Sequence, residues 1–312
     1  MKFNYIHNGD VMEGMEMIPD ESVNCVITSP PYWQLRDYGY SEQWGLEPTY
    51  QGYLEHLWQW MGEVYRVLTK DGTVWVNLGD TYHKGDKWGG QIHQTISNND
   101  NERDFIRHRI PNQGLPDKCL LLIPHRFAIG CIERGWILRN DIIWAKPNGM
   151  PESVTDRFSK RHEFIFLFAK SKKYFFDLDS VRETIKPETY ERAKRNKNEN
   201  PGSMIRNGFR NWDKTRQRFL NGIGKNPGDV SDFWAVNTQG NNTNHYASYN
   251  TKLIDKPIIA GCPEGGIILD PFCGTGTTLK RAKELRRKYI GIEASKEYHK
   301  LAMQSVAQKE LF

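Results

Sequence analysis

An α/β fold, with a mixed and mostly parallel sheet covered by helices on both faces, is what this 312-residue sequence predicts, and three observations predict it. An apolar run over residues 23–27 stops against Pro30-Pro31. A second, over residues 266–269, stops at Asp270-Pro271 and opens into a loop carrying Gly274 and Gly276. Short continuous apolar runs read as strands buried on both faces, and because Pro cannot continue a ladder the chain must leave the sheet there. Between the two, Leu54, Leu57, Met61, Val64, Tyr65 and Leu68 recur at i, i+3, i+4 spacing as one helix over 54–68, closed by Lys70-Asp71-Gly72 and followed by a strand over 73–78. Helix then strand is the βαβ rhythm of a parallel sheet.

Taken in order, residues 3–7 alternate like a short strand and residues 11–18 have helical spacing, so Asp10 sits at a strand-to-helix turn, where Asp serves readily as an N-cap. The strand over 23–27 exits through Thr28-Ser29-Pro30-Pro31-Tyr32-Trp33. Two successive prolines lack N–H groups and hold φ fixed, which makes the turn stiff and aims its carbonyls. Open α/β sheets place ligands at this carboxyl edge. The set suits a flat ring bearing an amine: Ser29 and the Pro30 carbonyl accept hydrogen bonds from an exocyclic NH2 while Tyr32 stacks on the ring face. Residues 34–40, polar and aromatic, read as a flap over the site. From 82 to 116 the composition shifts to Gly, Asn, Gln, His and charge with no helix or strand period. Such a stretch is either a substrate-side loop that orders on binding or a solvated insertion. Residues 120–133 are helical again, and 136–144 and 162–168 read as strands joined by a loop rich in breakers. A helix over 251–262, the strand over 266–269, a helix over 277–286, a strand over 289–292 ending in Glu293, and a helix over 295–309 complete the chain.

The net charge of +5 is only mildly basic and does not by itself nominate nucleic acid. Local clustering does. Between 181 and 225 the cations, among them Arg192, Lys194, Arg195, Arg206, Arg210, Arg216 and Arg218, greatly outnumber the acids, with Asn, Gln, Phe209, Trp212 and Phe219 interleaved. Lys and Arg neutralise phosphates, and Arg, Asn and Gln read base edges, although a basic run is also what a solvated surface looks like. Five cysteines without a C-x-x-C spacing speak against a zinc knuckle or a disulfide framework and for reduced thiols in a cytoplasmic setting. Scattered histidines give no metal constellation. No signal-peptide core or membrane-length apolar run is visible, so a soluble protein is expected.

The tetrapeptide Ser29-Pro30-Pro31-Tyr32 and the distant Ile267-Ile268-Leu269-Asp270-Pro271-Phe272-Cys273-Gly274-Thr275-Gly276-Thr277-Thr278 together resemble the two signatures of the amino-group DNA methyltransferases, in the permuted order that puts the catalytic turn before the cofactor loop. The resemblance implies the S-adenosylmethionine-dependent methyltransferase (Rossmann-like) fold with a seven-stranded sheet, the stretches 140–148 and 161–168 supplying its closing antiparallel strands. It implies a catalytic half over 1–180 with the insertion 82–116, a target-recognition segment over 181–244, and a cofactor half over 245–312. S-adenosylmethionine is then the cofactor and double-stranded DNA the partner, bound through Arg192, Lys194, Arg195, Arg206, Arg210, Arg216 and Arg218. Ser29, Pro30, Pro31 and Tyr32 are the catalytic set. The cofactor set is Thr28, Asp270, Phe272, Gly274, Gly276, Thr277 and Glu293, with Asp10 at the adenine end if it is more than an N-cap and His245 at the methionine end if it is more than a loop histidine.

The cofactor loop agrees with this on its own residues. A P-loop needs Gly-Lys-Ser/Thr, but Gly276 is followed by Thr277-Thr278; a dinucleotide fingerprint needs Gly or Ala where Leu279 stands. S-adenosylmethionine carries no phosphate and needs no cradle for one. Ser at the first tetrapeptide position points, within the family resembled, to N4 of cytosine, with N6 of adenine as the alternative. Carbon-5 methylation requires a thiolate, in its own family after a Pro, and no cysteine here follows one. A non-catalytic DNA-binding module and methylation of RNA or protein amides are the competing classes. With no nuclease motif, a cognate restriction endonuclease is a separate chain, in a prokaryote or its phage, and the enzyme works as a monomer or homodimer. One geometric expectation carries the rest: the C-terminal unit supplies two strands and the N-terminal unit the next two, so that Asp10 and Ser29 share an edge with Asp270 and Glu293.

Overall fold

The computed structural model describes residues 2–37, 43–83, 92–94, 105–106, 114–182, 232–238 and 250–308. The elements in chain order are β1 (Tyr5–Asn8), α1 (Val11–Glu16), β2 (Val23–Thr28), β3 (Arg36–Asp37), α2 (Tyr50–Val67) and β4 (Leu68–Leu78). Next come β5 (Ile92–Gln94), β6 (Phe105–Ile106), α3 (Ile123–Glu133), β7 (Ile137–Ala145), β8 (His162–Ala169) and β9 (Phe233–Ala235). The last are α4 (Thr251–Gly261), β10 (Ile267–Asp270), α5 (Thr277–Glu284), β11 (Lys288–Glu293) and α6 (Lys296–Ala307).

Local chemistry sets the ends of these elements. Thr49 accepts the Gly52 N–H at 3.1 Å, and this cap lets α2 start a turn earlier than the apolar spacing marks. Asn250 and Ser295 cap α4 and α6 in the same way. Pro257 lies inside α4, yet the helix continues on both sides of it because its face is packed against the sheet.

Among the described residues, one sheet of eight strands runs in the order β1-β11-β10-β2-β4-β8-β7-β9. Seven are the strands expected; the eighth, β9, comes from the segment assigned to target recognition and pairs in parallel with β7 through Trp144↔Trp234. The permuted order is visible directly. The C-terminal strands β10 and β11 sit between the N-terminal strands β1 and β2, with Asn8 opposite Glu293 and Leu269 opposite Val26. The antiparallel edge is made where β8 runs against both β4 and β7.

Side chains alternate across the sheet. Val74, Val76, Phe166, Phe168, Leu269, Ile290 and Ile292 face α1, α2 and α3, in a core built on Met15, Tyr53, Leu57, Trp60 and Phe127. Trp75, Ile165, Leu167, Ile268 and Tyr289 face α4, α5 and α6. In β2, Val23 and Val26 lie on one face and Cys25 and Ile27 on the other. Simple alternation would not give that, but the register shifts between Val23 and Cys25, and a bulge changes the phase of every side chain beyond it. Each fully buried Leu, Ile or Phe contributes about 1.5–3 kcal/mol, so both faces are needed to hold the sheet.

The structure departs from expectation in other places besides β9: Lys70-Asp71-Gly72, expected to close α2, lie inside β4. The sequence shows no regular period in the flap or in the insertion 82–116, yet β3, β5 and β6 form a second, three-stranded sheet in which Arg36 lies opposite His93. Strands of two and three residues are too short to show a period.

Candidate active site

The order of strands reverses between β10 and β2, and this is where an open α/β sheet leaves a crevice at its carboxyl edge. Thr28, the last residue of β2, donates its hydroxyl to Asp270 Oδ1, at the end of β10, over 2.6 Å. Both residues are buried, at 1% and 2% exposure. Residues 242 apart in sequence therefore meet in one hydrogen bond, and Asp270 Oδ1 also accepts the Phe272 N–H at 3.2 Å.

The cofactor side of the crevice is built by the β10–α5 turn and the end of β11. Gly274 and Gly276 both have positive φ, +52° and +83°, which only glycine adopts freely. Their reasons differ. A Cβ on Gly276 would lie 3.0 Å from Ala302 of α6, so this glycine serves helix packing, whereas a Cβ on Gly274 would meet no protein atom within 4 Å and faces open space. Glu293 takes the Gly274 N–H on Oε2 at 2.8 Å and the Ser295 N–H on Oε1 at 2.9 Å. Burial pushes its carboxyl up to about 7, against those two N–H groups, and Asp270 adds a smaller push in the same direction. Each carboxylate oxygen keeps a lone pair for a further donor. A buried bidentate acceptor beside a loop open at Gly274 fits a ribose with two vicinal hydroxyls, and the half-buried Phe272, flanked by Trp44 and Trp60 with ring centroids 5.5 Å away, supplies an apolar wall. The residues present fit S-adenosylmethionine.

Asp10 accepts the Met12 N–H at 2.7 Å and the Glu13 N–H at 3.4 Å, so it is the N-cap of α1. It stands beyond Asn8, whose side chain donates to the Glu293 carbonyl at 2.8 Å, and thus on the cofactor side of the same edge. Thr277 is the first residue of α5.

Across the crevice stands the Ser-Pro-Pro-Tyr turn. The Pro31 carbonyl is occupied by the Tyr53 hydroxyl at 2.7 Å, which anchors the turn to α2, while no described residue donates to the Pro30 carbonyl. The Tyr32 ring lies over Gly79, where a Cβ would come within 2.6 Å of it. Its hydroxyl donates to Glu163 Oε2 at 2.7 Å and lies 3.0 Å from Asn77 Oδ1. Ser29 Oγ is 3.4 Å from that same hydroxyl. Burial, and next the Glu163 charge, push the Tyr32 phenol well above its ordinary range, so it stays a donor. Glu163 in turn forms an ion pair with Lys146, and Asn77 is oriented by donating to the Phe164 carbonyl at 3.1 Å.

The structure thus brings Thr28, Ser29, Pro30, Pro31, Tyr32, Asp270, Phe272, Gly274, Gly276, Thr277 and Glu293 to one edge, with Asp10 beside them. His245 and the cations Arg192, Lys194, Arg195, Arg206, Arg210, Arg216 and Arg218 lie outside the described residues. Sequence reasoning missed Glu163, Lys146, Asn77, Tyr53 and Gly79. Glu163 did carry a signal: it is an acid near the start of an otherwise apolar strand. The buried thiols of Cys25, Cys131, Cys262 and Cys273 are all held above their ordinary value by burial, so none of these is poised as a nucleophile.

Residues 23–304 match the model of a family described as DNA methylase, the N6/N4 methyltransferases. The Type II methyltransferase M.Cfr9I of Citrobacter freundii is 38% identical over 298 residues, spanning 96% of this chain and 86% of its own. M.SmaI of Serratia marcescens is 35% identical over 303 residues, spanning 96% and 90%. Among solved structures, the PvuII DNA methyltransferase (cytosine-N4-specific) superposes with a TM-score of 0.64 at 17% identity, over 100% of this chain and 89% of that one. A DNA modification methylase of Thermus thermophilus, complexed with S-adenosyl-L-methionine, gives 0.52 at 21% identity, over 97% and 96%. At such identities the two solved structures bear on the fold.

Proposed function

This chain belongs to the N6/N4 family of DNA methylases and is an S-adenosylmethionine-dependent Type II DNA methyltransferase; from that premise we propose that it methylates N4 of cytosine in duplex DNA, on a base flipped out of the stack. The observation that carries this reading is the crevice with Glu293 on one wall and the Ser29–Tyr32 turn on the other, tied together by Thr28 and Asp270. Ser29 at the first tetrapeptide position supports cytosine, and N6 of adenine is the alternative.

Bound S-adenosylmethionine supplies a methyl made electrophilic by the sulfonium. An exocyclic amine is a poor nucleophile because its lone pair is delocalised into the ring. Acceptors held off the ring plane, the Ser29 hydroxyl and the Pro30 carbonyl, draw the amine hydrogens out of that plane and meet the charge that develops, which favours the transition state over the ground state. Much of the rate comes from holding nitrogen and methyl in line. Tyr32 packs against the flipped base, and the pocket is entered only by a base out of the duplex.

Phosphates and base edges are taken by the basic segment over 181–244, through Arg192, Lys194, Arg195, Arg206, Arg210, Arg216 and Arg218, with His245 at the methionine end of the cofactor. The enzyme acts in the cytoplasm beside a separate cognate endonuclease. Among the described residues no helix is long and apolar enough to cross a membrane. Incubating unmodified DNA with the protein and S-adenosylmethionine, then measuring hydrolysed nucleosides by mass spectrometry, tests the base: N4-methylcytosine is expected, and N6-methyladenine as sole product overturns the choice.

A further inference from the structure

Ser29 Oγ, Tyr32 Oη, Glu163 Oε2 and the Lys146 ammonium form one continuous chain leading from the catalytic turn into the sheet edge, with steps of 3.4 and 2.7 Å and a closing ion pair. The first step is longer than an ordinary O–H···O bond, as such contacts often are before substrate tightens them. The chain has a direction. Tyr32 holds its proton against ionisation and spends it on Glu163, so its oxygen faces Ser29 as an acceptor. Asn77 cannot reverse that order, because its amide nitrogen is committed to the Phe164 carbonyl and only its oxygen meets Tyr32.

Resting on the amino-methyl transfer read above, we propose that Glu163 is the terminal acceptor of the proton the target amine sheds, reached through the hydroxyls of Ser29 and Tyr32. The amine lone pair forms the new N–C bond as the S–C bond breaks, and the electron pair of the broken bond stays on sulfur, which leaves as a neutral thioether. Nitrogen becomes positive and passes a proton to Ser29 Oγ. Ser29 hands its own to Tyr32, and Tyr32 hands its own to Glu163 Oε2, which ends as a neutral carboxyl. A methylated aryl-type ammonium is a very strong acid, so even a carboxylate paired with Lys146 is base enough. Lys146 occupies Glu163 Oε1 and leaves Oε2 to the Tyr32 hydroxyl. With side-chain exposures of 15% for Glu163 and 19% for Lys146, the pair is near enough to water to release the proton afterwards. Because the positive charge appears as the bond forms, polarisation along the chain acts in the transition state.

Glu163 acts through two other groups and is therefore a positioning and relay residue, so its test must separate relay from mere support of Tyr32. We would measure single-turnover methyl transfer to unmodified genomic DNA by the full chain and by Tyr32→Phe, Glu163→Gln and the double variant. Calorimetric S-adenosylmethionine affinity is followed in parallel. Tyr32→Phe removes one oxygen and keeps the ring over Gly79. A relay predicts that each single change slows transfer roughly 100-fold, that the double variant is no slower than about threefold below the slower single, since parts of one unit are not additive, and that the wild-type solvent isotope effect is lost in all three. Cofactor affinity stays within about threefold. A single variant within about threefold of wild type, or a double variant slowed by the product of the singles, overturns the relay. Failure of the wild-type protein to methylate DNA at all overturns instead the reading beneath it.

Discussion

At the scale of residues, the role proposed for Glu293 in holding the ribose would couple the site to pH. Its carboxyl is raised from 4.5 to about 7 by burial, and in that role it is ionised to accept two ribose hydroxyls. S-adenosylmethionine affinity is therefore predicted to rise as pH passes upward through about 7, and Glu293→Gln to weaken binding on the alkaline side and flatten that slope, both measurable by calorimetry. The stability of the free protein runs the other way. A carboxyl whose folded value lies above its unfolded one binds more protons in the native state, so its contribution is full below about 4.5 and is lost as pH rises through about 7. Thr28 makes a separate prediction. Thr28→Val leaves the buried Asp270 with one partner fewer and should cost about 1–3 kcal/mol in denaturant unfolding; an unchanged midpoint would show the Thr28–Asp270 bond to be idle. Some of these roles were legible. Glu293 ends an apolar run and Ser29 precedes two prolines, and both signals are local. Glu163 carried a local signal too, as an acid in an apolar strand, but its role was not legible, because its partner Tyr32 is 131 residues away and no spacing rule connects them.

Among elements, the turn after β4 supports the catalytic turn by what it lacks. Gly79→Ala would place a Cβ 2.6 Å from the Tyr32 ring, so the ring must shift while the cofactor wall, on the far side of β2, stays put. The predicted outcome is a fall in methyl transfer of about 10–100-fold, the size that follows from displacing a group by an ångström, with S-adenosylmethionine affinity unchanged; loss of both together would contradict it. The long elements were readable because apolar spacing marks them, and in α6 the Ser295 cap agrees with it, whereas in α2 the Thr49 cap carries the helix a turn further than the spacing shows. What could not be read were β3, β5, β6 and β9, strands of two or three residues: β9 adds to the edge that β7 offers Trp234, and the other three pair with one another in the second sheet.

For the whole molecule, the sheet is completed only when both ends of the chain contribute, since β10 and β11 fill the space between β1 and β2. A fragment of residues 1–182 would face its missing centre with Ile6, Cys25 and Ile27 uncovered, and is predicted to show no cooperative thermal transition by circular dichroism. A sharp transition in that fragment would mean the halves fold independently. This interleaving was foreseeable from the order of two short stretches, whereas the contact proposed between the basic segment and DNA depends on side chains that no sequence period places. The proposed reaction requires one crevice to hold the methyl donor and the amine acceptors together. A crystal structure with S-adenosylhomocysteine tests this: the ribose is expected on Glu293 and the sulfur facing Ser29 and Pro30 across a gap that admits one amine, with reacting atoms about 3–3.5 Å apart. A ligand bound with its sulfur turned away from that turn, or on another edge of the sheet, would contradict it.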